Sequence, residues 1–232
     1  MKLKWGALVV DGRNKIGGHV ASKNRAGAYL RTKVTPVNPQ SVDQNTARNR
    51  FTIYSQGWRG LTQAQRDAWN AAVGDYATTD IFGDLKNPTG FNLYQRLNNN
   101  LVTVGASAIT SPPIPESVGE VVATALSAED DTVAESLSLT MAGAVPADTA
   151  VKVFATPAIS AGKSYVKNQY RLVTTLDAAE SSPYDLLAEY QAKYGSITQT
   201  GMKIFVKLVA VNTNTGQQGT PSEVSAIIAV SA

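Results

Sequence analysis

The 232-residue sequence contains no cysteine and only one histidine, His19. Together these scarcities remove disulfides, thiolate metal sites, cysteine nucleophiles and any two-histidine metal site. They also suit assembly in a reducing cytoplasm. Long apolar runs are missing too: nothing approaches the roughly 20 residues of a membrane-spanning helix. Trp5 to Val10 is cut by Asp11 and Gly12 before it reaches the length of a secretory apolar region. The expectation is a protein with no membrane partner that stays in the compartment where it is made. Glutamate is absent from residues 1–115, which carry 14 Lys/Arg against 6 Asp. Residues 116–232 carry 7 Lys/Arg against 12 Asp/Glu, so a half of net charge +8 precedes one of −5. Such polarity points to two distinct segments, the first facing something acidic.

Catalytic constellations are equally scarce. His19 beside Gly17 and Gly18 reads as a loop or packing residue. Asp80 with Asp84, and Asp130 with Asp131, fall in turn-like, solvated sequence. A working acid–base pair needs environments that split the two pKa values. Gly12 to Gly18 lacks the Gly-Lys-Ser/Thr ending of a phosphate loop and the spacing of a dinucleotide fingerprint. No catalytic, metal or cofactor residue is assigned. The expectation is a non-enzyme that needs no cofactor and takes no small-molecule substrate.

The remaining patterns define elements. Lys2 to Val10 reads as a short strand and Asp11 to Gly18 as a turn-rich stretch. Gly18 to Asn24 and Ala26 to Val34 read as extended segments turning at Asn24–Arg25; Tyr29, Arg31 and Lys33 alternate with Ala28, Leu30, Thr32 and Val34 at a strand's period of two. Pro36 and Pro39 then keep the chain extended. Ser41 with Gln44, and Thr62 with Gln65, have capping-box spacing. The first box opens a helix with Ala47, Phe51, Tyr54 and Trp58 on one stripe. The second opens one with Ala64, Ala68, Trp69, Ala72 and Val73, ending near Gly74. A third helix starts at Thr89 with Tyr94, Leu97, Leu101 and Val104 in line.

Ser111-Pro-Pro-Ile-Pro115 reads as a stiff linker. Beyond it, segments near 119–127, 133–141, 149–157, 164–175, 202–213 and 222–230 are rich in Val, Ile, Leu, Thr and Tyr, and turn residues separate them. One helix interrupts the series, with Ser182 as cap, Pro183 at its first position and Gly195 at its end. The expected fold is therefore α+β. A basic arm and about three helices (1–110) precede a linker (111–118) and an all-β immunoglobulin- or fibronectin III-like sandwich with one inserted helix (119–232).

Residues 1–66 hold 12 Lys/Arg against Asp11 and Asp43. Lys15, Lys23, Arg25, Arg31 and Lys33 belong to the expected arm; Arg48, Arg50, Arg59 and Arg66 lie on or beside the first two helices. Trp58 and Trp69 serve either as interface anchors or as the core of a small helical unit. Together these eleven residues form the candidate docking set. Its targets are an acidic protein surface or DNA phosphates, the second disfavoured by the scarcity of interleaved aromatics.

Two resemblances add to this reading. Ile204-Phe-Val-Lys-Leu-Val-Ala-Val-Asn212, followed by Gly216, Gly219 and Thr220-Pro-Ser-Glu-Val224, resembles the last hairpin of fibronectin type III domains. The family's corner tyrosine is replaced by Ile204, and the helix near 183–194 is an insertion. In the first half, four stretches look like a family of virion-associated proteins of tailed bacteriophages, notably the crAss-like phages of gut Bacteroidetes. They are Gly17-Gly-His-Val-Ala-Ser-Lys-Asn-Arg-Ala-Gly27, Arg31-Thr-Lys-Val-Thr-Pro-Val-Asn-Pro39, Trp58-Arg-Gly-Leu-Thr through Gln65-Arg and Ala68-Trp69, and Phe82-Gly-Asp84 with Gly90-Phe-Asn-Leu-Tyr94. The resemblance covers roughly residues 15–115. It implies a virion structural protein made in the host cytoplasm, an auxiliary capsid protein whose partners are the major capsid protein or other virion proteins. A tail or head-fibre component that binds the host surface, and an internal DNA-contacting protein, are the alternatives.

Overall fold

Alternating residues and tight turns build the first element of the structure, a small antiparallel sheet of β1 (Asn14–Ile16), β2 (His19–Asn24) and β3 (Gly27–Thr32). The computed structural model describes residues 1–4, 6, 12–35, 37–130 and 135–230. The expected strand over Lys2 to Val10, Pro36, Asp131 and the start of the 133–141 segment therefore lie wholly or partly outside the described residues. Asn24 turns the chain between β2 and β3, its Oδ1 accepting the Ala26 N–H at 2.9 Å. Met1 to Leu3 add to the outer edge of β3, with Leu30 N–H donating to Met1 O (2.8 Å) and Leu3 N–H to Ala28 O (3.1 Å). The basic stretch expected as an extended arm is thus a paired sheet.

Contacts divide the chain into two units, Met1–Leu93 and Tyr94–Ala232. The division falls inside the third helix rather than at the proline-rich segment 111–118. In unit 1, Ser41 caps α1 (Val42–Gly60) and Thr62 forms a reciprocal capping box with Gln65 at α2 (Gln63–Ala71), as their spacing predicts. The chain after α2 tightens into a 3₁₀ turn, Ala72–Tyr76. A hairpin of two two-residue strands, β4 (Thr78–Thr79) and β5 (Leu85–Lys86), follows. Thr89 Oγ1 accepts the Asn92 N–H (3.1 Å) at the start of α3 (Gly90–Thr103). Trp69 and Leu93 are fully buried here, with Tyr54, Leu61 and Tyr76 nearly so.

Unit 2 holds two sheets around one core. β6 (Ala123–Asp130), β7 (Ser136–Met141), β11 (Tyr184–Asp185) and β14 (Ala229–Val230) lie in the order β11-β7-β6-β14. β8 (Thr149–Ala155), β10 (Arg171–Leu176), β12 (Met202–Asn212) and β13 (Ser222–Ile227) lie in the order β10-β8-β12-β13, with β9 (Ile159–Ser160) also on β12. Both sheets are antiparallel throughout except that β14 joins β6 in parallel. Alternation governs the burial: Leu137, Leu139 and Met141 face the core, as do Ile204, Val206 and Leu208. Ile204, at the expected corner-tyrosine position, is a core residue.

The inserted helix starts later than its sequence signals predict. Tyr184 and Asp185 pair with Leu139 and Ser138 of β7, and Ser182 Oγ accepts the Met141 N–H at 2.8 Å instead of capping a helix. α4 runs over Leu187–Tyr194, with the Asp185 carboxylate accepting the Leu187 N–H (3.0 Å) and Gly195 ending it. Strand pairing to β7 outcompetes the local proline signal. Tyr190 and Tyr194 hydroxyls donate to Thr156 O (3.1 Å) and Ala155 O (2.8 Å), fixing α4 to the end of β8.

Glu135 holds the far side of this helix: one carboxylate oxygen accepts from Ile197 N–H (2.8 Å) and Gln191 Nε2 (2.7 Å). The Ile197 N–H does most to hold its pKa below the usual glutamate value. A carboxylate so depressed adds stability above its unfolded pKa of about 4.3, and loses it as pH falls through the lower folded value. Glu135→Gln is therefore expected to melt lower than the parent at pH 7. Calorimetry on an acid series should find the difference closing below about pH 4.

The C-terminal half of α3 belongs to unit 2. Its predicted stripe of Tyr94, Leu97, Leu101 and Val104 is buried throughout. Asn98, also fully buried, donates to Tyr94 O and Ile109 O and accepts the Ile109 N–H at 2.7 Å. The proline-rich segment is not a free linker: Gln217 donates to Ile114 O (3.0 Å) and accepts from Glu116 N–H (2.9 Å).

Candidate functional site

Cross-strand register decides which basic residues meet. Lys15 pairs with Val20 and Val20 with Arg31, so Lys15 and Arg31 share one face of the sheet. Lys2 pairs with Tyr29, two residues from Arg31, and joins that face. Lys33 continues the row beyond the strand end, where its N–H donates to Gly18 O (2.9 Å). The opposite face carries Ile16, Ala21 and Leu30, and Lys23 falls there beside Ala28. Arg25 stands at the exposed turn. The sheet thus has a cationic side centred on Tyr29 and an apolar side on which Ala21 is buried. Lys15, Arg31 and Lys33 are exposed, and none makes an ion pair among the described residues.

The helical members divide differently. α1 is 19 residues long, and only Tyr54 on it is buried. Phe51 and Ile53 are each 61% exposed, so the predicted Ala47–Trp58 stripe is covered only at its C-terminal end. Arg48, Arg50 and Arg59 project from this helix; Arg48 reaches Asn38 Oδ1 at 2.7 Å. Arg66 on α2 donates to Arg59 O (3.3 Å) and Gln63 Oε1 (3.2 Å), tying the helix junction together. Trp58 is half-buried, its ring edge-on to Phe91 at 5.7 Å between centroids. Trp69 has no exposed surface, and its role is core packing rather than contact with a partner.

A feature missed in the sequence lies beside the sheet. Lys4 meets Asp84 at 2.9 Å and Lys2 meets Asp80 at 3.7 Å. Asp80, expected to be solvated, has a side chain only 4% exposed, its Oδ1 accepting from Phe82 N–H (2.8 Å) and Asp84 N–H (3.1 Å). Burial works against its charge, but those two N–H groups, then Lys2 and Lys86, outweigh it and hold its pKa below the usual carboxylate range. The hydrogen bond to Asp84 raises the pKa of Lys4. The Asp80 carboxylate fixes a turn, and that of Asp84 pairs with Lys4. Among the described residues no group of three or more His, Asp or Glu could hold a metal ion, and no helix is long and apolar enough to cross a membrane.

No protein-family profile, curated protein or solved structure matches the chain.

Proposed function

We propose that this chain is a non-enzymatic structural protein of a tailed-phage virion, an auxiliary capsid protein that docks through its basic N-terminal unit. The observation that carries the reading is α1, a 19-residue helix with one buried residue, standing in the same unit as an exposed cationic sheet face. A helix this exposed gains little from its own unit, and most helical stability in proteins comes from packing. Its uncovered Phe51 and Ile53 beside Arg48, Arg50 and Arg59 suit an acidic partner with apolar pockets, the composition of an interface centre. The major capsid protein or another virion protein is the partner, and the virion is the location. The sandwich is read as fibronectin type III-like. The strand orders β11-β7-β6 and β10-β8-β12-β13 support this as a three-strand and a four-strand sheet, to which β14 and β9 are short additions.

Charge reversal tests the docking. Arg31→Glu, Lys33→Glu and Arg48→Glu sit at exposed positions and should leave the fold intact. In particles assembled with the triple variant, its copy number is expected to fall at least about tenfold, since like charges facing across an interface cost several kcal/mol. Unchanged incorporation would overturn docking through this surface. Salt-sensitive binding of the parent chain to random-sequence DNA, lost in the same variant, would favour the internal DNA-contacting alternative.

A further inference from the structure

Unit 1 also contains a cleft of about 340 Å³ between residues 2–4, the β2–β3 turn and the β4–β5 hairpin. Lys2, Lys4, Lys23 and Lys86 line it together with Asp80 and Asp84. An adjoining recess of about 150 Å³ shares Lys2 and runs on to Tyr29. The volume of the first alone falls within the range of ligand sites.

The charges inside do not balance. Asp84 is engaged by Lys4, and Asp80 by two backbone N–H groups and Lys2. Lys23 makes no ion pair or hydrogen bond among the described residues, and Lys86 only acts on Asp80 at longer range. Four lysines against two aspartates line the cleft, a surplus of two positive charges, which selects an anion.

The backbone of the cleft narrows the choice. Met1 and Leu3 make the bonds to β3, so the N–H and C=O of Lys2 point away from that strand. No hydrogen bond reaches them among the described residues. An open strand edge is what an extended peptide pairs with, alternate side chains entering the adjoining pockets. A nucleic acid has no backbone N–H to offer such an edge. Of the two nearby aromatics, Phe82 already lies under the Lys4 ammonium at 5.3 Å, which leaves it poorly placed to stack a base, and Tyr29 alone is no run of stacking platforms. We propose that this cleft binds an extended acidic peptide segment of a partner protein, whose carboxylates pair with Lys23 and Lys86 while its backbone meets the edge at Lys2. The inference does not depend on the virion reading.

Isothermal titration of the full chain with an acetylated, amidated (Glu-Val)₃ peptide tests it, at about 50 mM salt where exposed charges are weakly screened. Saturable binding is expected. It should weaken at least about tenfold in Lys23→Ala/Lys86→Ala and with a (Gln-Val)₃ peptide, a tenfold change being the scale of two partly exposed ion pairs. Amide shifts in the unmodified chain should move at residues 2–4 and 26–28, a readout that survives if the double variant folds poorly. Failure of the Glu peptide to bind, equal binding by parent and variant, or shifts confined elsewhere would overturn the proposal. So would tighter binding of a thymidine octanucleotide that is lost in the double variant.

Discussion

Gly216→Ala is expected to lower the melting temperature of unit 2 by about 10 °C, the consequence of losing about 3 kcal/mol. Two independent costs meet at this position. Gly216 has φ 72°, a left-handed conformation that costs a side-chain-bearing residue about 1–2 kcal/mol. A Cβ there would also collide with Leu97 O and stand only 3.0 Å from Leu101 Cγ. Both atoms belong to the buried face of α3, so neither retreats without opening the core. The loop around Gly216 has little freedom either. Asn212 Oδ1 holds the N–H groups of Asn214 (2.8 Å) and Thr215 (2.9 Å), and Gly216 N–H returns to Asn212 O at 2.9 Å. Gly201 is the control. Its φ is 79° but a Cβ there meets nothing within 4 Å, so Gly201→Ala should cost only the strain, about 1 kcal/mol. Differential scanning calorimetry of both variants separates strain from collision; equal losses would contradict the packing of α3 on this loop.

Asn100→Leu is expected to cost a similar amount, about 3 kcal/mol, by breaking a buried polar cluster. Asn100 is 7% exposed and Lys152 only 4%. Asn100 Oδ1 accepts from Lys152 Nζ at 2.8 Å and from Gln218 Nε2 at 3.0 Å, while its Nδ2 donates to Gly216 O at 2.7 Å. One amide thus joins α3, β8 and the β12–β13 loop. Leucine matches the shape but takes away a buried ammonium's acceptor, and removing one partner from a buried charge costs more than removing both. Lys152→Met leaves Asn100 its bonds to Gln218 and Gly216 and should cost about 1 kcal/mol. The double variant should be more stable than the sum of the two losses predicts. Chemical denaturation of all four proteins completes the cycle, and strict additivity would contradict direct coupling of Asn100 to Lys152.

Local signals in the sequence were read well where the interaction itself is local. Ser41, Thr62 and Thr89 each accept an N–H from the first turn of a helix, a contact spanning three residues. The Tyr94–Val104 stripe announced its buried face because apolar spacing reports burial directly. The same logic failed for α1: Phe51 has the right spacing, but nothing described in unit 1 covers it. Spacing tells which face is apolar and not what meets it. Longer-range pairings were invisible. Pro183 and Ser182 signalled a helix start, yet partners on β7 took the following residues into a strand. The proline-rich segment looked like a linker because its composition is extended; Gln217, distant in sequence, clamps it to the sandwich unit. The cleft was missed for the same reason, since Lys2 and Asp80 stand at opposite ends of unit 1 in sequence.

Of the candidate docking residues, alternation set Arg31 and Lys33 apart from Leu30, whereas Lys15 lay in a stretch read as turn-rich and reaches that face only through the register of β1 with β2. It could not tell that Trp69 is wholly buried while Trp58, eleven positions earlier, is half-exposed on a helix with one buried residue. That distinction depends on how α2 packs against the start of α3, where Gly90 lets the two meet: a Cβ there would lie 3.0 Å from the Trp69 carbonyl carbon.

Quantitative mass spectrometry of phage particles purified from the source of this chain, with heads and tails analysed separately, tests the proposed virion role most directly. Many copies in the head fraction, in constant proportion to the major capsid protein, are the predicted result. Absence from both fractions would contradict a structural role in the virion, and confinement to the tail fraction would contradict the capsid assignment.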